Sequence, residues 1–238
     1  MIKIENAVLP SPAQWEAVIR GARNPMSSWD KMDSYSTHIV DEATLEVADF
    51  EYFIGENDLD LLSRLAKAGK DHRKFMRMIP VIVDVTAPMY WWKEMDTYKV
   101  GTVRNSCSTM HKIHAKEFTL DDFSYEYLED VFPGTFIKIS DNHITVSPKQ
   151  LLEDFIIPVL NHNRTEFIET KDKKYWWQMI QLLPSSYNQK STLFLNYEVL
   201  ANMYHSRKYH KLDEWREFCK WIESLPYSEL ITGGPNNE

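Results

Sequence analysis

The sequence predicts a helix-rich, well-packed globule that includes a few short strands. Three observations lead there. Aromatic residues fill 13% of the 238 positions while glycine occurs only 7 times, which favours a dense core over an all-β or disordered chain. Apolar residues recur at helical spacing, most strongly in the last third. Val81 to Val85 reads VIVDV, a strand pattern, with Pro80 at its start where the missing donor is tolerated. At 43% hydrophobic, the chain can bury one full-sized core or two small ones.

In order, residues 1–12 suggest a short strand ending at Pro10 and Pro12. Ser11 can cap a helix from Pro12 to about Arg23, with Trp15, Val18 and Ile19 on its apolar side. Residues 44–54 read as a strand. Asp58 is a candidate cap for the helix LDLLSRLAKAG, which Gly69 is placed to end. After VIVDV, Pro88 opens a helix carrying Met89, Tyr90, Trp91, Trp92 and Met95. Helices are expected from about Asp121 to Val131, from Pro148 to His162 and from Lys171 to Leu183, where Pro184 breaks the last. A hairpin is expected over Phe136 to Val146, with its turn at Asp141-Asn142. From Thr192 to His205, apolar Leu193, Leu195, Val199, Leu200 and Met203 recur at near-helical spacing. Asp213 to Ser224 forms a last helix with Trp215, Phe218, Cys219 and Ile222 inward.

Composition excludes several function classes. A formal net charge of −8 argues against a broad nucleic-acid-binding face, though not against a local cationic pocket. Cys107 and Cys219 are far apart and lack a CxxC context, so they read as free thiols in a reducing compartment. No apolar run reaches membrane-spanning length and the N-terminus has no secretory pattern, so the expectation is a cytoplasmic protein with no membrane partner.

The richest stretch for chemistry runs from Ala87 to His111. Behind the aromatic helix comes a polar run, Lys99 to Thr109, which reads either as a ligand loop or as a solvated connection. Cys107 within it is either a nucleophile or inert. His111 and His114 share a helical spacing near Glu117, but two histidines are too few for a closed metal site, and no metal is expected. The tryptophan pairs at 91–92 and 176–177 are core residues or a stacking surface for a flavin or pteridine. No P-loop or Rossmann glycine fingerprint is present.

Three stretches together resemble the flavin-dependent thymidylate synthases. They are Ala68-Gly69 with His72, Val81 to Met110, and Leu183-Pro184 through Trp221, where Pro184, Asn196, Asn202 and Arg207 fall into the family's order of Leu-Pro, Asn, Asn and Arg. The resemblance implies an α/β (α+β) fold with a central mixed sheet flanked by helices. It also implies one domain over 1–238, with 112–165 a divergent insertion or lid. It further implies a homotetramer with active sites between subunits, FAD as cofactor, and NADPH and methylenetetrahydrofolate as co-substrates. The reaction implied is one-carbon transfer and reduction on a pyrimidine nucleotide. By this resemblance His72, Lys99, Asn196 and Asn202 contact the flavin, and Arg207 binds and polarises the pyrimidine. Glu94, Arg104, Asn105 and Cys107 occupy substrate-binding positions.

The signature itself is altered. Its Arg-His-Arg becomes Thr97-Tyr98-Lys99, its first Ser is Thr102, its Asn is Arg104, its second Ser is Cys107, and its Arg-Tyr is Thr109-Met110. A glutamine ahead of it is Glu94, and an arginine before Leu-Pro is Ile180. Arginine clamps a phosphate bidentately, so losing several arginines points to a changed nucleotide pocket and a changed substrate. The alternative is a catalytically inactive nucleotide- or protein-binding module on the same fold.

Overall fold

The computed structural model describes residues 2–40, 47–130, 136–139 and 142–233. In chain order the elements are β1 (Lys3–Val8), α1 (Pro12–Arg23), β2 (Tyr35–Val40), β3 (Val47–Phe53), α2 (Glu56–Lys67), β4 (Pro80–Pro88), α3 (Met89–Met95), β5 (Val103–Ser106) and α4 (Thr109–Lys112). They continue with β6 (Phe136–Ile139), β7 (Asn142–Thr145), α5 (Pro148–Gln150), α6 (Ile157–Thr170), α7 (Lys173–Leu182), β8 (Asn188–Asn196), α8 (Tyr197–Arg207), α9 (Asp213–Glu223) and α10 (Glu229–Thr232). A π-helical stretch, Leu151–Ile156, joins α5 to α6. The result is the mixed α/β architecture expected, with sheets flanked by helices.

Local chemistry explains most boundaries. Ser11 and Gln14 form a capping box around the start of α1, and Pro12 takes the first-turn position. Trp15, Val18, Ile19 and Ala22 then share the buried face. Gly69 follows α2 at φ +96°, a conformation that suits glycine and ends the helix. Along β4, Val81, Val83 and Val85 are fully buried and alternate with more exposed residues.

Two compact units emerge. The larger holds Ile4–Val85, Asp96–Asn105 and Thr192–Glu238; the smaller holds Met1–Lys3, Thr86–Met95 and Ser106–Ser191. One sheet has four strands in the order β1-β4-β8-β5. β2 and β3 pair antiparallel, from Tyr35 opposite Phe53 to Val40 opposite Val47. In the smaller unit β6 and β7 form the expected antiparallel hairpin; of the turn expected at 141–142, Asn142 belongs to β7, and residue 141, like 44–46 of the expected strand, lies outside the described residues. The core of that unit joins Ile113, Phe118, Phe123, Leu152, Leu160 and Met179.

Four expectations need correction. Asp58 does not cap α2, whose N-cap is Gly55. The capping carboxylate comes from Asp33, which accepts from the amides of Asn57 at 2.9 Å and Asp58 at 3.1 Å. Of the helix expected over 121–131, the described residues to 130 show only a 3₁₀ turn, Leu120–Asp122, after which Phe123 bridges to Tyr187. The helical run from Pro148 continues past His162 to Thr170. Finally, Thr192 to Asn196 is strand rather than helix: Leu193 and Leu195 are buried with period two, and the helical period begins only at Tyr197.

Asp58 instead sits wholly buried against Arg23, whose Nε donates to its carboxylate. The amides of Asp33 and Ser34 and the Ser34 hydroxyl also donate to it. Burial alone would raise its pKa. The hydrogen bonds from Ser34, Arg23 and the Asp33 backbone outweigh that and hold the carboxyl below its ordinary value. A carboxylate with a depressed folded pKa contributes stability above its unfolded pKa, and that contribution is lost as pH falls through the folded value. Asp58→Asn is therefore expected to destabilise the chain by about 3–5 kcal/mol at neutral pH, because Arg23 is left buried without its counter-charge. In urea unfolding, the gap between wild type and variant should narrow as the pH falls below about 4, the range of an unfolded aspartate.

Candidate functional site

The site residues of the larger unit are arranged around α8. Asn196 ends β8 and is the N-cap of α8: its Oδ1 accepts from the Val199 amide at 3.0 Å. Its Nδ2 reaches the carbonyl of Gly101 at 3.4 Å. Gly101 has φ +77°, and a Cβ there would come within 2.9 Å of Asn196 Nδ2, so glycine meets both a conformational and a spatial demand. At the other end of the helix, Arg207 Nε donates to the Tyr98 hydroxyl at 3.0 Å. Its guanidinium lies 5.7 Å from the Tyr98 ring centre and 5.0 Å from that of fully buried Trp215 on α9. The loop from Tyr98 to Gly101 thus runs along α8, touching its C-terminal end through Tyr98 and its N-terminal end through Gly101. Lys99 is exposed on that loop.

Asn202 lies five positions before Arg207, roughly 140° away around the helix at 3.6 residues per turn. It shares its side of α8 with Glu198. Arg73 donates to Asn202 Oδ1 at 3.1 Å and to Glu198 Oε1 at 3.4 Å, and Arg77 also pairs with Glu198. Burial tends to raise the Glu198 pKa, but the hydrogen bond and charge of Arg77 and then of Arg73 hold it low. Arg73 and Arg77 belong to a 3₁₀ segment, Arg73–Met78, that His72 precedes. His72 is exposed beside a cavity of about 450 Å³ with largely apolar walls from Met26, Leu65, Phe75 and Met78.

The expected substrate residues separate. Arg104 on β5 meets both carboxylate oxygens of Asp96, just after α3, through its Nη1 at 2.9 and 2.8 Å. Asn105 is exposed on β5. Glu94 and Cys107 belong to the smaller unit, Glu94 half-buried on α3 and Cys107 exposed in the wall of a cavity of about 280 Å³. Of the tryptophan pairs, Trp91 and Trp92 are buried, whereas Trp176 is half-buried and Trp177 exposed beneath Lys173. His111 is exposed, and His114 packs edge-on against Phe167 at 4.9 Å. Among the described residues no cluster of three or more His, Cys, Asp or Glu is placed to hold a metal ion. No helix among them is long and apolar enough to cross a membrane.

No family model matches the sequence, and no curated protein sequence matches it. Solved structures do. Thymidylate synthase X from Helicobacter pylori, solved with FAD and dUMP, superposes with a TM-score of 0.60 at 14% identity, covering 98% of this chain and 97% of that one. A second structure of that flavin-dependent enzyme, complexed with FAD and dUMP, gives 0.59 at 13% identity over 98% of both chains. The UMP/dUMP methylase PolB from Streptomyces cacaoi, bound with 5-Br dUMP, gives 0.54 at 14% identity over 98% of this chain and 95% of that one. This chain has the flavin-dependent thymidylate synthase fold.

On that fold, sequence reasoning missed Tyr98, Arg73 and Trp215 as partners of the expected site residues. In the sequence, Tyr98 stands only where the resembling signature has a histidine. Its pairing with Arg207 spans 109 positions, which no local spacing signals. Because Asn196 spends its acceptor on the helix end, Asn196→Ala is expected to cost about 1 kcal/mol of stability, while Asn196→Asp, which keeps a capping oxygen, should cost less. Chemical denaturation of the two variants measures the difference.

Proposed function

We propose that this chain is a FAD-dependent, thymidylate synthase-like enzyme that acts on a pyrimidine nucleotide by one-carbon transfer and reduction, with a changed nucleotide pocket and a changed substrate. The observation that supports this most is the fold likeness over almost the whole chain to proteins solved with FAD and dUMP or with 5-Br dUMP. NADPH and methylenetetrahydrofolate as co-substrates, assembly as a homotetramer and a cytoplasmic location belong to the same proposal. The opposed directions of Asn202 and Arg207 on α8 fit sites completed by a second copy, since one ligand face cannot easily meet both within a single chain.

The residues fit a flavin. The cavity beside His72 offers largely apolar walls for a ring system, with an imidazole at its edge as donor or acceptor. Lys99 supplies an exposed cation for an anionic group, and Asn202 an exposed amide. A bound flavin supplies the electron pair for the reduction. The chain's own part is to hold and polarise. Arg207 is fixed through its Nε and through two aromatic rings before any ligand arrives. A guanidinium already in place stabilises charge developing on a uracil carbonyl without reorganising.

The ion pair between Arg104 and Asp96 favours the second reading, a binding module without turnover, because it neutralises one of the two cations within the altered signature. Reconstitution separates the two. Incubation with FAD is expected to give the visible band of a bound oxidised flavin, and His72→Ala should weaken its retention. Arg207→Ala should leave that band and lower turnover by about 10²–10³-fold, the scale for loss of one preorganised electrostatic contact. Protein that stays colourless after incubation with FAD would overturn the enzyme reading.

A further inference from the structure

The smaller unit holds a cavity of about 500 Å³ lined by Met110 and His111 of α4, Phe167 of α6, Lys171 of the turn after it, and Lys173 and Trp176 of α7. Its walls are braced by the fold itself. Trp176 Nε1 donates to the Met110 carbonyl at 3.1 Å, which ties α7 to α4. The Trp176 ring meets Trp177 edge-on at 4.8 Å, and His114 meets Phe167 in the same manner at 4.9 Å.

The cations of this wall stand where the backbone does not favour them. α6 ends at Lys171, which takes φ +59°, the left-handed region in which glycine or asparagine is the less strained residue. α7 then opens with Lys173 and Lys174 and has no acid in its first turn, although the helix dipole favours acids there. Asp172, the N-cap, answers only part of this charge, since its carboxylate pairs with Lys174 at 3.1 Å. Lys171 and Lys173 form no ion pair with another described residue. Lys173 Nζ stands over the indoles, 5.9 Å from the Trp176 ring centre and 5.7 Å from that of exposed Trp177. Among the described residues no carboxylate lines the cavity.

Aromatic and thioether walls select a flat apolar body, and two ammonium groups without a counter-ion select a negative charge. The volume falls within the ~300–1,000 Å³ of small-ligand sites. We propose that this cavity binds a small aromatic carboxylate, its ring against Trp176 and Phe167 and its carboxylate on Lys171 and Lys173. The site stands independently of the flavin and nucleotide reading. It gives a role to the basic run at 171–174 and to Trp176, neither of which that reading uses.

Calorimetric titration of the full chain tests this with three probes: cinnamate, cinnamyl alcohol, which keeps the ring without the charge, and acetate, which keeps the charge without the ring. Cinnamate is expected to bind, the alcohol about tenfold more weakly, and acetate not detectably. Added salt should weaken cinnamate and leave the alcohol unchanged. Lys173→Met keeps the length of the side chain, and Lys171→Asn tolerates the left-handed backbone; each is expected to weaken cinnamate about tenfold and leave the alcohol unchanged. Circular dichroism of both variants checks folding. The assignment is overturned if cinnamate does not bind, if the alcohol binds as tightly, or if neither lysine variant weakens cinnamate, as binding at another cavity would give. Each of these outcomes leaves the flavin and nucleotide reading standing.

Discussion

Asn196 ends a strand and starts a helix with one amide. Its Oδ1 caps α8 and its Nδ2 reaches the loop at Gly101, so the position of the helix and the path of the altered signature loop are set together. The directions in which Asn202 and Arg207 point follow from where that helix begins. A start one residue earlier would rotate both by about 100° around the axis and detach them from Arg73 and Tyr98.

Electrostatics divides the cations into those spent on the fold and those offered to a ligand. Arg23 holds Asp58, Arg73 and Arg77 hold Glu198, and Arg104 holds Asp96. Arg207 is the clearest case: the Tyr98 hydroxyl and the rings of Tyr98 and Trp215 orient its guanidinium.

What could be read in the sequence was local. Ser11 with Pro12, Gly69 after α2, and the buried face Trp215, Phe218, Cys219 and Ile222 on α9 each follow from spacing within one or two turns. The α/β fold was legible through a scattered order of anchors, and the structural likeness bears it out. What could not be read depends on distant partners. Asp33 supplies the capping carboxylate from 24 residues away, so the helix begins after Gly55 and not at the expected cap Asp58. Leu193 and Leu195 fit both a strand and a helix by spacing alone, and only pairing within the sheet decides between them. In the site, the single residues were visible, but the clamp on Arg207 arises only from folding.

The most direct test of a shared flavin and nucleotide site is the visible spectrum of the FAD-reconstituted protein during titration with dUMP. A saturable perturbation of the flavin band is expected, because the two ligands would lie in stacking distance. A flavin band that dUMP leaves unchanged at every concentration, or a protein that takes up no flavin, would contradict it.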